Sequence, residues 1–360
     1  MKFAYWKDSN DNVISTEKTI TLPVTKAITY EAVYQEDTGV TVLDEITIDV
    51  EQYQEINTDL IPNTVTISSG SKVEEVEVTW DISTYDKSQI GTQIIYGTLV
   101  NTDYELDEPL TMEINVIPYT LEYNEATNEY SIVEYFGTTQ IETVPSTFNG
   151  IPIVSIEQSA FYNCTNLTSL VVSEGIEVIG GYAFQNCTNL VNIELPSTVT
   201  SIGTYAFSMN SSLQNVYFGG TIENWSNILF ENLYANPMYY AQSDFYQKDS
   251  TGTWKVVTEI VIPDTVKVIN QYQFAYFRNI TSIKLPSKVT SIGLEAFRAC
   301  RSLTSIELPS TLASIGDKAF YLCGKLVTVY NVSSLKLSAG SSKYGYVAYY
   351  ANNVYEYLPE

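Results

Sequence analysis

Apolar residues recur in the second half of the chain at a fixed interval. Phenylalanines mark this interval of 23 residues in two series, which are separated by one longer step of 67 residues: Phe161, Phe184, Phe207, and then Phe274, Phe297 and Phe320. The apolar positions around them coincide as well, since LPSKVTSIGLEAFRACRSLTSI aligns column by column with LPSTLASIGDKAFYLCGKLVTV. Self-similarity at a period of about 20 to 50 residues is typical of repeat proteins.

Each unit predicts two short strands and a tight corner. β-Branched and polar residues alternate on both sides of a Leu-Pro or Ile-Pro turn, and the second stretch ends in Ile-Gly shortly before the corner phenylalanine. One unit cannot bury its own apolar face, so we expect the units to stack about 4.8 Å apart into a solenoid. Six regular corners and an irregular unit near residues 216–254 give about seven rungs, more than the three or so that stability needs.

These units resemble the BspA-like (Treponema-type) leucine-rich repeat. The segment EYFGTTQIETVPSTFNGIPIVSI before them resembles the β-hairpin cap that precedes such arrays. We therefore assign residues 119–152 to a cap and residues 153–360 to the solenoid, with a tyrosine-rich C-terminal cap. The resemblance implies a bacterial protein, secreted or attached to the cell surface, in a family associated with adhesion to host proteins or to other cells.

The first 118 residues differ from the solenoid in composition. They carry 6 Lys+Arg against 22 Asp+Glu, which is a net charge of -16 out of -24 for the whole chain, and they contain no cysteine. Short segments of alternating polarity predict a β-sandwich from residue 38 onward: VTVLDEITIDV, NTVTIS, VEEVEVTWD, TQIIYGTLV and LTMEINVIP. We expect a mainly β protein with a domain boundary near Ile117 and Pro118.

Two further resemblances fall in this first part. VEVTWD, the Gly91 turn, IIYGTLV and EINVIP resemble bacterial immunoglobulin-like domains, which implies a sandwich over residues 38–118 with Trp80 as its core aromatic residue. Residues 1–37 resemble the C-terminal part of an internalin-type B repeat, which implies a partial β-grasp-like spacer module. Both are modules of surface proteins.

Composition excludes several classes of function. A net charge of -24 repels phosphate backbones and anionic lipid, so we expect no nucleic-acid partner, and no apolar run is long enough to insert into a membrane. The chain has no histidine, the commonest general base and metal ligand, and it has no supported catalytic motif. We expect no enzyme, no cofactor and no metal site. Asp8, Asn10 and Asn12 mimic the start of a calcium loop, but Val13 and Thr19 stand where Gly and Glu are required, which favours a hairpin turn.

The four cysteines share one column of the repeat. Cys164, Cys187, Cys300 and Cys323 each follow a corner phenylalanine by three residues, and Asn210 stands in the same column. A column that accepts asparagine is a packing position, which predicts four buried, reduced thiols. The alternative is a disulfide between neighbouring rungs, such as Cys164 with Cys187.

Aromatic residues are concentrated in the irregular unit. Four of them are candidate partner contacts: Trp225, Tyr239, Tyr240 and Trp254. Aromatic faces bind sugar rings and anchor protein interfaces. The alternative is that a long insertion needs a small core of its own. The tyrosines from 344 to 357 leave a similar choice between a cover for the last rung and a platform for glycans.

All three arginines fall in two adjacent rungs. Arg278 and Arg301 share one column, and Arg298 follows the corner Phe297. Either Glu295 and Asp317 neutralise the paired arginines on a solvated face, or the three form a basic patch for a sulfated or sialylated glycan or an acidic protein loop.

The sequence thus predicts a binding protein of adhesin type. The solenoid would present its surface to a protein or glycan of a host or of a neighbouring cell, because repeat arrays offer extended surfaces. The alternative is a structural spacer within a larger surface protein. The oligomeric state does not follow from the sequence.

Overall fold

The computed structural model describes residues 2–8, 13–15, 30–35, 39–102 and 104–357. The chain divides into two compact units, residues 1–117 and residues 118–360. The regular elements of both are mainly β-strands, and this confirms the predicted mainly β class. Asn10 and Asn12 of the candidate calcium loop lie outside the described residues.

Three strands begin the first unit: β1 (Lys2–Asp8), β2 (Val13–Ser15) and β3 (Tyr30–Gln35). They form an antiparallel sheet in the order β2-β1-β3. The assignment of residues 1–37 to a partial β-grasp-like module stays a prediction.

Six strands form the larger sheet of the first unit: β4 (Val40–Val42), β5 (Thr47–Glu51), β6 (Thr64–Ser69), β7 (Lys72–Trp80), β8 (Gly91–Leu99) and β9 (Thr111–Ile117). Their order is β4-β6-β7-β8-β9-β5, and β5 pairs in parallel with β9 whereas the other pairs are antiparallel. Short 3-10 helices lie at Thr58–Leu60 and Ile82–Thr84. Each of the five segments predicted as extended overlaps at least one of these strands.

Strand β7 connects two apolar clusters of this sheet. Its first part, Lys72–Glu77, pairs with β6, and its last part, Val78–Trp80, pairs with β8. Trp80 packs against both clusters while remaining half-buried, and its Nε1 donates a hydrogen bond to the Pro62 carbonyl oxygen at 2.8 Å. The assignment of residues 38–118 to an immunoglobulin-like sandwich stays a prediction.

The second unit opens with five strands: β10 (Tyr119–Asn124), β11 (Glu129–Tyr135), β12 (Ile141–Val144), β13 (Thr147–Phe148) and β14 (Ile151–Ile156). β10 and β11 form an antiparallel hairpin, and β11 then pairs in parallel with β14. The hairpin therefore covers the edge from which the first rung starts.

Two series of strands follow. The first series is β15 (Ser169–Val172), β16 (Val178–Ile179), β17 (Asn192–Leu195), β18 (Ser201–Ile202), β19 (Asn215–Phe218), β20 (Leu229–Phe230), β21 (Phe245–Lys248) and β22 (Trp254–Val256). The second is β23 (Glu259–Val261), β24 (Val268–Ile269), β25 (Ser282–Lys284), β26 (Ser291–Ile292), β27 (Ser305–Leu308), β28 (Ser314–Ile315), β29 (Thr328–Asn331) and β30 (Asn353–Tyr355).

Successive rungs pair in parallel with the register that the repeat predicts. Ser169 faces Asn192, which faces Asn215, and in the second series Ser291 faces Ser314. The first series forms one sheet in the order β12-β15-β17-β19-β21-β22 and another that includes β14-β16-β18-β20. Strand β22 alone reverses direction, since it returns antiparallel to β21.

Apolar columns fill the inside of the solenoid. The six corner phenylalanines are fully buried, and their rings stack on those of neighbouring rungs at centroid distances such as 5.3 Å for Phe161 and Phe184 and 5.2 Å for Phe297 and Phe320. Parallel in-register stacking brings identical side chains together at every rung, which is why the sequence repeats so strictly.

The corners bend through left-handed backbone at two positions per rung. The positions two residues before and two residues after the corner phenylalanine have φ between 52° and 66°, and they are occupied by Ser159, Tyr182, Tyr205, Tyr272, Glu295, Lys318, Asn163, Asn186, Met209, Tyr276, Ala299 and Leu322. A non-glycine residue in this region costs about 1–2 kcal/mol. The gain is hydrogen bonding along the solenoid axis, since Tyr182, Phe184 and Asn186 each donate a backbone N–H to the next rung at 2.8–2.9 Å.

The four cysteines are free thiols and buried, in agreement with the predicted packing column. The Sγ atoms of Cys187, Cys300 and Cys323 donate to the carbonyl oxygen of the corner phenylalanine one rung earlier, at 3.1–3.3 Å. The adjacent Cys164 thiol and burial raise the pKa of Cys187. The Cys187 thiol is therefore a hydrogen-bonded core group with little thiolate character.

Glycine is required where the second strand of each rung meets the corner. A Cβ added at Gly180 would lie 2.6 Å from the backbone nitrogen of Gln158 on the preceding rung, and Gly203, Gly293 and Gly316 meet the same obstacle at 2.4–2.5 Å. Glu157 and Asn270 occupy this column in the first rung of each series, where no regular rung precedes them. Glycine is therefore found in this column only where two regular rungs approach each other closely.

Neighbouring glycines provide a matched test of this constraint. We expect Gly180→Ala to destabilise the solenoid by about 2 kcal/mol or more, because the obstacle is backbone that can yield only by separating the rungs. Gly181→Ala should change stability by less than about 0.5 kcal/mol, since its Cβ would lie 3.3 Å from the Thr204 carbonyl oxygen and its column also holds Thr204 and Leu294. Denaturant unfolding of both variants measures the difference, and equal losses would contradict the close-approach argument.

Candidate partner-binding surface

The irregular unit builds a core of its own around Trp225. The α-helix α1 (Ile222–Asn227) begins at Thr221 with a capping box, and two 3-10 helices follow at Leu233–Ala235 and Pro237–Tyr239. The Trp225 side chain is fully buried, and its ring contacts Phe218, Phe230, Phe245 and Phe277 at centroid distances of 4.8–5.6 Å. This burial corrects the expectation that Trp225 reaches a partner, because the indole has no exposed face.

Side chains connect this unit to the rung that contains Phe274, and we call this contact the joint. Trp225 Nε1 donates to the Gln273 carbonyl oxygen at 2.8 Å, and Asn236 Nδ2 donates to the Tyr272 carbonyl oxygen at 2.9 Å. Among the described residues, no backbone–backbone hydrogen bond crosses the joint, and no strand pairs across it. The joint therefore replaces the regular strand pairing with side-chain hydrogen bonds.

Arg278 is the charged element of the joint. Its Nη1 donates to the carbonyl oxygens of Met238, at 3.0 Å, and Ala241, and its Nη2 donates to the carbonyl oxygen of Tyr239 at 3.0 Å. These acceptors lie at the C-terminal end of the second 3-10 helix, where backbone carbonyls lack partners. Burial and the nearby Arg301 lower the pKa of Arg278. Its donors are occupied within the chain, which corrects the expectation of a basic patch at this residue.

Arg298 is also held by its own chain. Its Nη1 lies 2.7 Å from Glu295 Oε1, and the guanidinium carbon lies 5.9 Å and 5.4 Å from the ring centroids of Tyr276 and Tyr321. One of the two alternatives had Glu295 neutralise the column of Arg278 and Arg301, but Glu295 pairs with Arg298 instead. Glu295 lies three residues before Arg298 on the same corner, so its carboxylate reaches the Arg298 guanidinium more easily than it reaches Arg278 or Arg301.

Arg301 remains the accessible cation of the three. It is exposed, and no carboxylate in the described part of the chain lies within ion-pair distance of it. Arg278 and Arg301 thus share a column but differ completely in environment. The irregular unit covers the first and leaves the second open.

Tyrosine rings form a continuous ridge along the corners of the solenoid. The tyrosine ridge consists of residues in successive ring or cation-π contact: Tyr182, Tyr205, Tyr234, Tyr239, Tyr276, Arg298, Tyr321, Tyr346 and Tyr349. Tyr182 and Tyr205 stack at 5.5 Å, and Tyr205 and Tyr234 stack at 5.1 Å. Tyr205 and Tyr349 are 36% and 44% exposed, whereas Tyr276 at the joint is buried, so the ridge presents aromatic surface to solvent on both sides of the joint.

Tyr239 and Tyr240 lie in or beside this ridge. The two rings are half-buried and contact each other at 4.8 Å, and Tyr239 also meets Tyr276 at 4.6 Å. Burial and the neighbouring Tyr276 raise the pKa of Tyr239 to about 12, so its hydroxyl stays protonated and able to donate. The Tyr239 carbonyl oxygen belongs to the joint, and neither side chain is fully buried.

Trp254 lies apart from the ridge, on the sheet formed by β15, β17, β19, β21 and β22. It is half-buried, and its ring meets that of Tyr217 edge-on at 5.2 Å. Beside the two rings is an open cavity of about 280 Å³, which we call the aromatic cleft, lined by Ser169, Leu170, Val171, Asn192, Glu194, Tyr217 and Trp254. The sequence pointed to Trp254 but missed Asn192 and Glu194, which the outward-facing columns of the aligned repeats could have identified.

The C-terminal segment covers the last rung, although tyrosines are not its buried residues. Val347 and Ala348 are buried, and Phe320 donates its backbone N–H to the Gly345 carbonyl oxygen at 2.7 Å. Tyr349 and Tyr357 are exposed, and Tyr330 and Tyr355 stack at 5.4 Å on the outer face of β29 and β30. Small residues therefore close the core, and the tyrosines extend the exposed aromatic surface.

Comparison with known proteins identifies the repeat. The family described as BspA type leucine-rich repeat region matches six copies in this chain, over residues 135–243 and 252–345. The chain belongs to the BspA-type leucine-rich repeat family. This confirms the resemblance predicted for the solenoid. The match shows a leucine-rich repeat architecture over more than half of the chain.

Several solved structures are similar to this BspA-type chain. A leucine-rich repeat protein of T. pallidum shares 20% identity and a TM-score of 0.24, with 68% of this chain and 81% of that chain covered. A leucine-rich cell surface protein of Faecalibacterium prausnitzii shares 18% identity and a TM-score of 0.28, with 68% and 94% covered. A leucine-rich repeat protein of Bacteroides ovatus shares 20% identity and a TM-score of 0.36, with 64% and 65% covered. No curated protein matches the chain.

Two further kinds of feature are absent from the described residues. Within the described ranges, no helix combines the length and apolar character that a membrane span requires. In the same part of the chain, no three acidic, histidine or cysteine side chains gather as metal ligands would.

The two arginines of one column provide a matched test of the joint. We expect Arg278→Ala to lower stability by about 2–4 kcal/mol, because it leaves carbonyl oxygens at the joint without their charged donor. Arg301→Ala should change stability by less than about 0.5 kcal/mol, as is usual for an exposed side chain without partners. Urea unfolding followed by tryptophan fluorescence, to which Trp225 at the joint contributes, measures both. A loss of similar size in the two variants would refute the structural assignment of Arg278.

Proposed function

We propose that this BspA-type protein is a non-enzymatic binding protein of the bacterial cell surface, of adhesin type. It presents the tyrosine ridge of its solenoid to a protein or glycan of a host or neighbouring cell. The observation that carries this proposal is the continuity of the ridge, which spans the corners from Tyr182 to Tyr349.

Two physical arguments support the ridge as a contact surface. Tyrosine combines large apolar area with a hydroxyl that remains hydrated, and it is enriched among residues that dominate interface energies. Each ring is also held by its neighbours, so little conformational entropy is lost when a partner binds. Stacked rings such as Tyr205 and Tyr234 are pre-ordered in this sense.

Charge supports a partner that is not anionic overall. The chain carries a net charge of -24, and two of its three arginines are engaged internally. A neutral or basic protein surface meets less repulsion than a sulfated or sialylated glycan. We therefore favour a neutral or basic partner over the anionic ligand that the arginine column alone suggested.

Binding of the full chain to an array of extracellular matrix proteins and host glycans tests this function. We expect a saturable signal that falls at least about tenfold in the double variant Tyr182→Ser and Tyr205→Ser, which removes about 1.4 kcal/mol or more. Serine suits this column because Ser159 occupies it with the same left-handed backbone. Tyr96→Ser in the first unit, where Tyr96 is 58% exposed, is the control that should bind as the wild type does.

Two results would overturn the proposal. Absence of any saturable partner would favour the alternative that the chain is a spacer within a larger surface protein. Undiminished binding by the folded double variant would place the contact elsewhere than the tyrosine ridge.

A further inference from the structure

The aromatic cleft lies on a different face from the tyrosine ridge and has a different composition. Its floor is the outer face of β15, β17 and β19, where Val171, Glu194 and Tyr217 occupy one outward column. Trp254 on β22 forms its wall. Because β22 is the strand that reverses direction, this wall has no counterpart at any other rung of the described solenoid.

Internal contacts fix the orientation of the aromatic wall. The Tyr217 ring stacks on Tyr246 at 4.6 Å and meets Trp254 edge-on at 5.2 Å. Lys248 Nζ lies 4.5 Å from the Trp254 ring centroid, which is a favourable cation-π distance. The same ammonium lies 3.7 Å from Glu194 Oε1. The rings are therefore pre-positioned beside the polar groups of the cleft.

Polar groups in the cleft retain unused hydrogen-bonding capacity. Asn192 Oδ1 accepts from Asn215 Nδ2 at 2.9 Å, whereas Asn192 Nδ2 has no acceptor among the described residues. Glu194 forms the ion pair with Lys248 but accepts no hydrogen bond from the described part of the chain. An amide donor without a described acceptor, and a carboxylate whose described partner is the Lys248 ammonium at 3.7 Å, thus stand beside the aromatic rings.

We propose that the aromatic cleft binds one or two units of a neutral saccharide. A sugar ring has an apolar face of C–H groups, which suits the electron-rich face of an aromatic ring, and hydroxyls that both donate and accept hydrogen bonds. Trp254 and Tyr217 supply the rings, Glu194 supplies the acceptor, and Asn192 supplies the donor. The volume of about 280 Å³ lies just below the range for drug-sized ligands, about 300–1,000 Å³, which suits a ligand of one or two sugar units.

Charge favours a neutral sugar over an anionic one. Lys248 is the cation next to the cleft, and it is already paired with Glu194. An acidic sugar would face the Glu194 carboxylate without a free cation to offset the repulsion. A neutral hydroxyl can instead donate to that carboxylate in a charge-assisted hydrogen bond.

The second half of the solenoid contains a natural comparison. Glu307, Tyr330 and Tyr355 occupy consecutive rungs of one outward column, as Glu194, Tyr217 and Tyr246 do in the first half. Among the described strands, none equivalent to β22 brings a tryptophan beside them. Glu307 is therefore a matched control for Glu194, since it is exposed in the same column beside a tyrosine but without the wall.

Saturation-transfer NMR on the full chain tests the proposal with four probes: methyl β-D-galactopyranoside, methyl α-D-mannopyranoside, methyl N-acetyl-β-D-glucosaminide and N-acetylneuraminic acid. We expect transfer to at least one neutral glycoside and none to the acid, with a dissociation constant in about the millimolar range. Trp254→Ala and Glu194→Gln should each weaken binding about tenfold or more. Glu307→Gln should leave it unchanged.

The outcomes separate this proposal from the proposed function. The saccharide proposal rests on the proposed function only in treating the solenoid as a binding surface. The cleft and the tyrosine ridge are tested by different variants. Absence of transfer to every neutral glycoside would overturn the saccharide proposal and leave the tyrosine ridge untouched. Equal effects of Glu194→Gln and Glu307→Gln would also overturn it. A third outcome would assign the cleft to a protein partner. In that case no glycoside binds, but the chain binds a protein of the matrix array and Trp254→Ala abolishes this binding.

Discussion

The close approach of successive rungs governs the structure of the solenoid. Parallel hydrogen bonding brings each rung against the previous one, so that every side chain stands beside its equivalent 23 residues away. The glycine before each regular corner is the sharpest expression of this distance, because even a methyl group would meet backbone there. The phenylalanine stacks, the cysteine hydrogen bonds and the left-handed corners all follow from the same requirement that one rung must repeat the next.

This requirement explains which features the sequence could predict. Columns that face the core tolerate few residue types, so the period, the strands and the buried cysteines follow from alignment of the chain with itself. The left-handed positions were not predictable in this way, since residues as different as Asn163, Ala299 and Leu322 occupy them. Their conformation is imposed by hydrogen bonds to the neighbouring rung, and tertiary contacts of this kind leave little trace in residue type.

The surroundings that the irregular unit creates for individual side chains were also not predictable from the repeat. Arg278 and Arg301 are indistinguishable by column, yet one is enclosed by the irregular unit and the other is open to solvent. The sequence located the irregular unit and its aromatic residues, but not which rung the unit covers. The same insertion buries Trp225 and brings Trp254 beside Tyr217. Some aromatic residues of the irregular unit therefore form its core and others lie on its surface. Which residues do which depends on the path by which the inserted chain rejoins the sheet.

The joint divides the solenoid into two blocks, and the contacts within each block differ in kind from the contacts between them. Within each block, backbone hydrogen bonds in parallel rows connect every rung to the next, whereas across the joint the connections are made by side chains such as Arg278, Asn236 and Trp225. When a tethered protein is pulled along its axis, rows of backbone bonds share the force, but a few side-chain bonds must carry it in turn. Under tension the solenoid would therefore part first at the joint, with each block still folded. Only Val257 and Thr258 lie between β22 and β23, so the opened joint would act as a hinge between two intact surfaces and would release almost no chain.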